Sequence, residues 1–101
     1  MKVYGLVGKT LQHSFSANFF SDYFANENIV ARYQNFEIEA VVHIQSVFDL
    51  KPAGLNVTIP YKESVLPYVD ELDPLARTIG AVNTIVFDGN HKIGYNTDVF
   101  G

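Results

Sequence analysis

Lys62 and Asp98 each close a short polar cluster that follows an apolar run: Asn56-Val-Thr-Ile-Pro-Tyr-Lys62 and Gly94-Tyr-Asn-Thr-Asp98. An ammonium and a carboxylate brought together make a proton-transfer pair, since the carboxylate favours and orients the charged form of its partner. The groups around them, Asn56, Thr58, Asn96 and Thr97, are neutral hydrogen-bonding side chains. Strand alternation puts Asn56 and Thr58 on one side of the chain. A plainer reading also fits each cluster: a solvated strand edge with Lys62 starting a helix, and a turn with a helix cap at Asn96–Asp98. A lysine at a helix start opposes the helix dipole, which favours another purpose for Lys62.

A third polar cluster is His13-Ser14-Phe15-Ser16, just before a predicted helix. Ser16 reads as its N-cap. Capping does not need two serines, and two hydroxyls beside the positive end of a helix suit a carboxylate in a chain with few cations. Asn83 lies in the apolar run Ala81-Val-Asn83-Thr-Ile. A buried amide needs partners, and a structural hydrogen bond to a neighbouring loop is the simplest. Gly8-Lys9-Thr10 fails as a phosphate loop, because the glycine required five positions earlier is Val3. There is no G-x-G-x-x-G, hence no dinucleotide fingerprint. His13, His43 and His91 fall in a loop, a helix and a hairpin without ligand spacing, so no metal is expected.

These residues need a frame to carry them. Lys2–Val7 reads as a buried strand and Gly8–Ser14 as a loop. Ala17–Asn26 reads as an amphipathic helix with Phe20 and Phe24 on one face. A strand over Ile29–Phe36 is followed by a helix over Ile38–Leu50, where Ile38, Val41, Ile44 and Phe48 recur at helical spacing. Ala53–Ile59 is a compact strand, and Pro60 can open a short helix through Val65. Asp73-Pro74 caps and starts another helix through Ile79. Ala81–Phe87 and Lys92–Tyr95 flank the hairpin signal Asp88-Gly-Asn-His91. The order predicts an α/β fold, three-layer α/β/α, with a mostly parallel sheet and one antiparallel strand from the C-terminal hairpin. In such sheets ligands bind at the carboxyl rim of the strands, where these clusters fall.

The 101 residues allow one domain with one core, and 48% are hydrophobic. A net charge of −4 with seven scattered Lys and Arg argues against nucleic acid as a partner. The absence of cysteine excludes disulfides and thiolate metal sites. No stretch is long enough to span a bilayer, and the N-terminus lacks a secretory signal, so no membrane is expected and the cytoplasm is the default compartment. The sequence stops at Asp98-Val-Phe-Gly101 directly after a polar cluster, so a piece of a longer protein is expected.

Gly5-Leu-Val-Gly8, His13-Ser-Phe-Ser16, Gly54-Leu-Asn-Val-Thr-Ile-Pro-Tyr-Lys62, Gly80-Ala-Val-Asn-Thr84 and Gly94-Tyr-Asn-Thr-Asp98 stand in an order and spacing that resembles the shikimate dehydrogenase family. The resemblance covers residues 1–101 and is to the N-terminal substrate-binding domain. It implies that Lys62 and Asp98 form the catalytic pair, and that Ser14 and Ser16 hold the substrate carboxylate. It also implies that Thr58, Asn83 and Asp98, with Lys62, contact the ring hydroxyls. The implied reaction is the reversible reduction of 3-dehydroshikimate to shikimate with NADPH, NADP being bound mainly by a Rossmann domain that follows this segment and is missing here, without a metal. Relatives that act on quinate share much of the pattern. Thr10 and Ala17 stand where many members have proline, which bears on loop rigidity. Two other readings compete: a stand-alone binding module for a polyhydroxylated carboxylic acid such as quinate or shikimate, and a flavodoxin-type phosphate or flavin domain, weakened by the failed phosphate loop.

Overall fold

The computed structural model describes residues 2–11 and 15–97, with the backbone alone for 15–19. Six strands form one sheet: β1 (Lys2–Gly8), β2 (Ala31–Glu37), β3 (Gly54–Val57), β4 (Glu71–Leu72), β5 (Thr84–Asp88) and β6 (His91–Tyr95). Their spatial order is β2-β1-β3-β5-β6-β4. The pairs β1–β2, β1–β3 and β4–β6 are parallel, while β5 runs antiparallel to both β3 and β6. The hairpin therefore supplies the one reversed strand that the sequence predicts. Its loop is Gly89-Asn90, between the paired Asp88 and His91. Gly89 has φ 62, and primed two-residue turns need a positive φ at that place.

Helix α1 (Phe15–Asn26) joins β1 to β2, and α2 (Ile44–Phe48) joins β2 to β3 across the other side of β1. Crossovers between parallel strands are right-handed, so reversing direction along the sheet moves the connection to the opposite face. The packing agrees. On one face Phe20 stacks on Tyr33 with centroids 4.7 Å apart, and Phe24 meets Tyr4 at 6.0 Å. On the other, Val7, Phe36, Leu55, Val57 and Ile85 pack against Ile44, Val47 and Phe48, with Ala76 from α3 (Pro74–Ile79) in the same cluster. This second face holds the core. Val7, Ile44, Val65, Val82 and Ile85 are fully buried, at about 1.5–3 kcal/mol each.

Several expected elements come out differently. The helix expected over Ile38–Leu50 is only a 3₁₀ turn, Val41–His43, followed by α2. Ile38 is claimed by the sheet, its N–H donating to the Gly8 carbonyl at 2.9 Å, and Ala40 is extended. The helix expected over Pro60–Val65 is a series of turns. The Ile59–Pro60 peptide is cis, and the Tyr61 N–H donates to the Thr58 carbonyl at 3.1 Å. A 3₁₀ turn at Leu66–Tyr68 follows. Helix α1 begins at Phe15, so Ser16 lies inside its first turn and is not the cap. The strand expected from Ala81 begins at Thr84, leaving Asn83 immediately before β5. Strand β4 is not apparent from the sequence. By contrast, Asp73 caps α3 as expected, accepting from the Leu75 N–H at 3.1 Å.

Gly5 shows how closely β2 packs on β1. A Cβ there would lie 2.3 Å from Phe36 Cε2 and 2.6 Å from the Gln34 carbonyl oxygen. The backbone oxygen cannot rotate away. Gly5→Ala is therefore expected to destabilise the fold by about 1–3 kcal/mol, read as a lower urea midpoint; an unchanged midpoint would contradict this packing.

Candidate functional site at the carboxyl rim of the sheet

The rim is assembled from four chain segments. Strands β1, β3 and β6 end on it, and the reversed β5 begins on it, which brings Asn83 alongside. At the first two, the Thr58 N–H donates to the Val7 carbonyl at 2.9 Å, extending the β1–β3 ladder past the end of β3. Gly8 allows the approach: a Cβ there would lie 2.7 Å from Thr58 Cγ2 and 2.8 Å from Leu11 Cδ2. The loop after β1 is tied to β2 through the Leu11 N–H, which donates to Glu37 Oε1 at 3.0 Å. Lys9, Thr10, Ile59 and Pro60 line a depression of about 240 Å³ between the two loops.

Lys62 sits on a turn that is fixed at several points. Its carbonyl accepts the N–H of fully buried Val82 at 2.7 Å. The buried neighbour Tyr61 donates its hydroxyl to the Ile38 carbonyl, and the Tyr61 carbonyl accepts the Val65 N–H at 3.0 Å. The backbone is held while the Lys62 side chain remains half-buried.

Asn83 joins β3 to β6. Its carbonyl accepts the Val57 N–H at 2.8 Å, and its N–H donates to the Tyr95 carbonyl at 3.0 Å. Its side chain, only 9% exposed, continues the link. Oδ1 accepts the Thr97 N–H at 3.0 Å, and Nδ2 donates to Thr97 Oγ1 at 2.9 Å. Thr84 Oγ1 donates to the same Oδ1 at 3.0 Å. The expected structural partner in a neighbouring loop is thus Thr97. Asn96, also buried, donates from Nδ2 to the Ala81 carbonyl at 3.1 Å.

Of the residues singled out by sequence, the structure brings Thr58, Lys62 and Asn83 to this rim. Ser14 and Asp98 lie outside the described residues, although Asp98 directly follows Thr97, whose N–H Asn83 holds. Ser16 is described through its backbone alone, in the first turn of α1. The roles of Thr84 and Thr97 as partners of Asn83 were not read from the sequence; the signal was present in Asn83 itself, a buried amide that needs partners.

Among the described residues neither a metal nor a dinucleotide has a visible cradle. Among the described residues, no three His, Cys, Asp or Glu side chains gather to hold a metal ion. The glycine at the end of β1, where a pyrophosphate would approach, has its open side filled by Thr58 and Leu11. The phosphates of a nicotinamide nucleotide do not fit there. Among the described residues no helix is long and apolar enough to cross a membrane.

The model of the shikimate dehydrogenase substrate binding domain matches residues 6–85. A shikimate dehydrogenase (NADP(+)) from Geobacillus kaustophilus is 48% identical over 103 aligned positions, covering 99% of this chain but 37% of that protein's length. Among solved structures, shikimate dehydrogenase 1 from Peptoclostridium difficile superposes with a TM-score of 0.89 at 44% identity, over 99% of this chain and 38% of the other. Quinate dehydrogenase from Corynebacterium glutamicum, in complex with NAD, superposes with a TM-score of 0.86 at 31% identity, over 99% and 39%. By its sequence, its sheet order and the segments gathered on its rim, this chain belongs to the shikimate dehydrogenase family, as the substrate-binding domain.

Proposed function

We propose that this chain is the substrate-binding and acid–base part of an enzyme that reversibly reduces 3-dehydroshikimate to shikimate, in the biosynthesis of aromatic amino acids. The reading rests on one observation above all: the turn carrying Lys62, the amide of Asn83 and the segment leading to Asp98 are fastened to one another by main-chain and side-chain hydrogen bonds. A site for a small ligand with several hydroxyls needs donors and acceptors fixed in this way.

Lys62 acts as the acid, giving its proton to the carbonyl oxygen as negative charge develops there, and takes it back in the oxidation direction. Asp98 orients that ammonium and binds a ring hydroxyl. Thr58 and Asn83 bind further ring oxygens, and Ser14 and Ser16 receive the carboxylate. NADP, held mainly by a second domain in the full-length protein, supplies or receives the hydride. The isolated chain is accordingly a binding domain without turnover, working in the cytoplasm. The likeness to a quinate dehydrogenase keeps quinate as a second reading of the substrate, so both acids belong in the same assay.

Three outcomes are expected in the full-length protein. Lys62→Ala lowers NADPH-linked turnover by about a hundred- to ten-thousand-fold with little change in substrate KM; an effect on KM alone would reassign Lys62 to binding. Reduction consumes a proton and oxidation releases one, so shikimate oxidation accelerates as the pH is raised from about 6 to about 10. A flat profile counts against an acid–base role. Replacing both serines, Ser14→Ala with Ser16→Ala, raises KM far more than it lowers kcat, and wild-type affinity in that double variant removes them from the site.

A further inference from the structure

We infer that Asn83 meets the ligand as a hydrogen-bond donor only, a polarity imposed by Thr97 and by Thr84 as a positioning residue, so that the ring oxygen facing it must accept. This rests on reading the rim as a shikimate site, and it adds which way one of its hydrogen bonds runs.

An asparagine side chain has two lone-pair directions on its oxygen and two N–H groups on its nitrogen. The two ends of an amide are told apart by their partners, and here one partner decides. The Thr97 main-chain N–H, 3.0 Å from the side chain, can only donate, so the atom facing it is Oδ1. Thr84 Oγ1, also 3.0 Å from Oδ1, fills the second lone pair. At the other end, one Nδ2 proton goes to Thr97 Oγ1 at 2.9 Å. No other bond to the Asn83 side chain is found among the described residues, which leaves one N–H.

Oδ1 is therefore saturated and Nδ2 is not. Asn83 is 9% exposed, so an N–H without a partner there costs free energy until a ligand oxygen receives it. A substrate hydroxyl that tried to donate to Asn83 would find no lone pair. It must turn its own proton elsewhere, which fixes the direction of that hydroxyl in the bound state. Thr84 reaches Asn83 from a strand position paired with Asn56 on β3 and Tyr95 on β6. Its methyl and hydroxyl are therefore held by the sheet, not by the loop.

The test uses the full-length protein and shikimate as the probe. In Asn83→Asp the Thr97 N–H and Thr84 hydroxyl keep an acceptor, and the Thr97 hydroxyl can turn its proton to the second carboxylate oxygen, so the surroundings survive while the remaining donor is lost. Shikimate binding by calorimetry is expected to weaken by about three- to tenfold, the worth of one net hydrogen bond; wild-type affinity overturns the donor assignment. In the wild-type protein with ¹⁵N-labelled asparagine, adding shikimate should move one of the two Asn83 side-chain proton resonances strongly downfield and the other little; a pair that does not respond overturns it equally. Thr84→Val should raise KM by about three- to tenfold with kcat nearly constant, and Thr84→Ser should restore it. If serine serves no better than valine, or valine changes nothing, Thr84 is not a positioning residue. Should the wild-type protein bind neither shikimate nor quinate, the site reading itself fails, and that result is distinct from all of these.

Discussion

Two consecutive residues hold the site together. The Val82 N–H is bonded to the Lys62 carbonyl, the Asn83 main chain bridges Val57 and Tyr95, and the Asn83 side chain takes hold of Thr97. Without this stitch, β3 and its following turn would be related to β6 only through the ladders of β5. With it, the segment that carries the lysine and the segment that leads to the aspartate are fixed within a few ångströms of the same two residues. Val82 is fully buried, so the stitch is anchored in the core and is shielded from competition by water.

The sheet order explains why the stitch can exist. Strands β2, β1 and β3 are parallel, and the chain leaves β1 toward one side and reaches β3 on the other. This makes the gap above β1 and β3 a switch point, where loops diverge and leave room for a ligand. An additional parallel strand beside β3 would bring only another carboxyl end to the rim. The antiparallel β5 instead brings its amino end, and with it a residue that can face both neighbours. One reversed strand thus ties the turn after β3 to the end of β6 through a single polar residue.

Much of this was legible where a local rule had no rival. Asp73-Pro74 specifies a cap and a first turn, and both formed. Asp88-Gly-Asn-His91 specifies a two-residue hairpin, and the pairing follows it. The need of Asn83 for a partner was readable from its apolar surroundings, but the identity of Thr97 was not, because it lies on another strand end. The misreadings share a cause: a non-local bond overrode a local pattern. The helical spacing from Ile38 yielded to the ladder bond from Ile38 to Gly8, and the helix expected from Pro60 yielded to the long-range bonds that hold the turn, from the Val82 N–H to the Lys62 carbonyl and from the Tyr61 hydroxyl to the Ile38 carbonyl. Strand β4 is two residues long and exists through its pairing with β6, which no local composition announces.

The same competition accounts for how the lysine is presented. A helix from Pro60 would have placed Lys62 in its first turn, against the dipole and pointed wherever the helix face dictated. The turns instead bury Tyr61 and Val65 on either side of it and use their bonds to fix the main chain. A rigid main chain under a half-buried ammonium limits the positions its tip can reach without desolvating it fully. That suits the acid role proposed for Lys62, since a group positioned near the reacting oxygen loses little in finding it. The polar frame around Asn83 would add a matching restriction under the proposed reading, since a ring oxygen that must accept from Asn83 leaves the ring fewer orientations before the lysine.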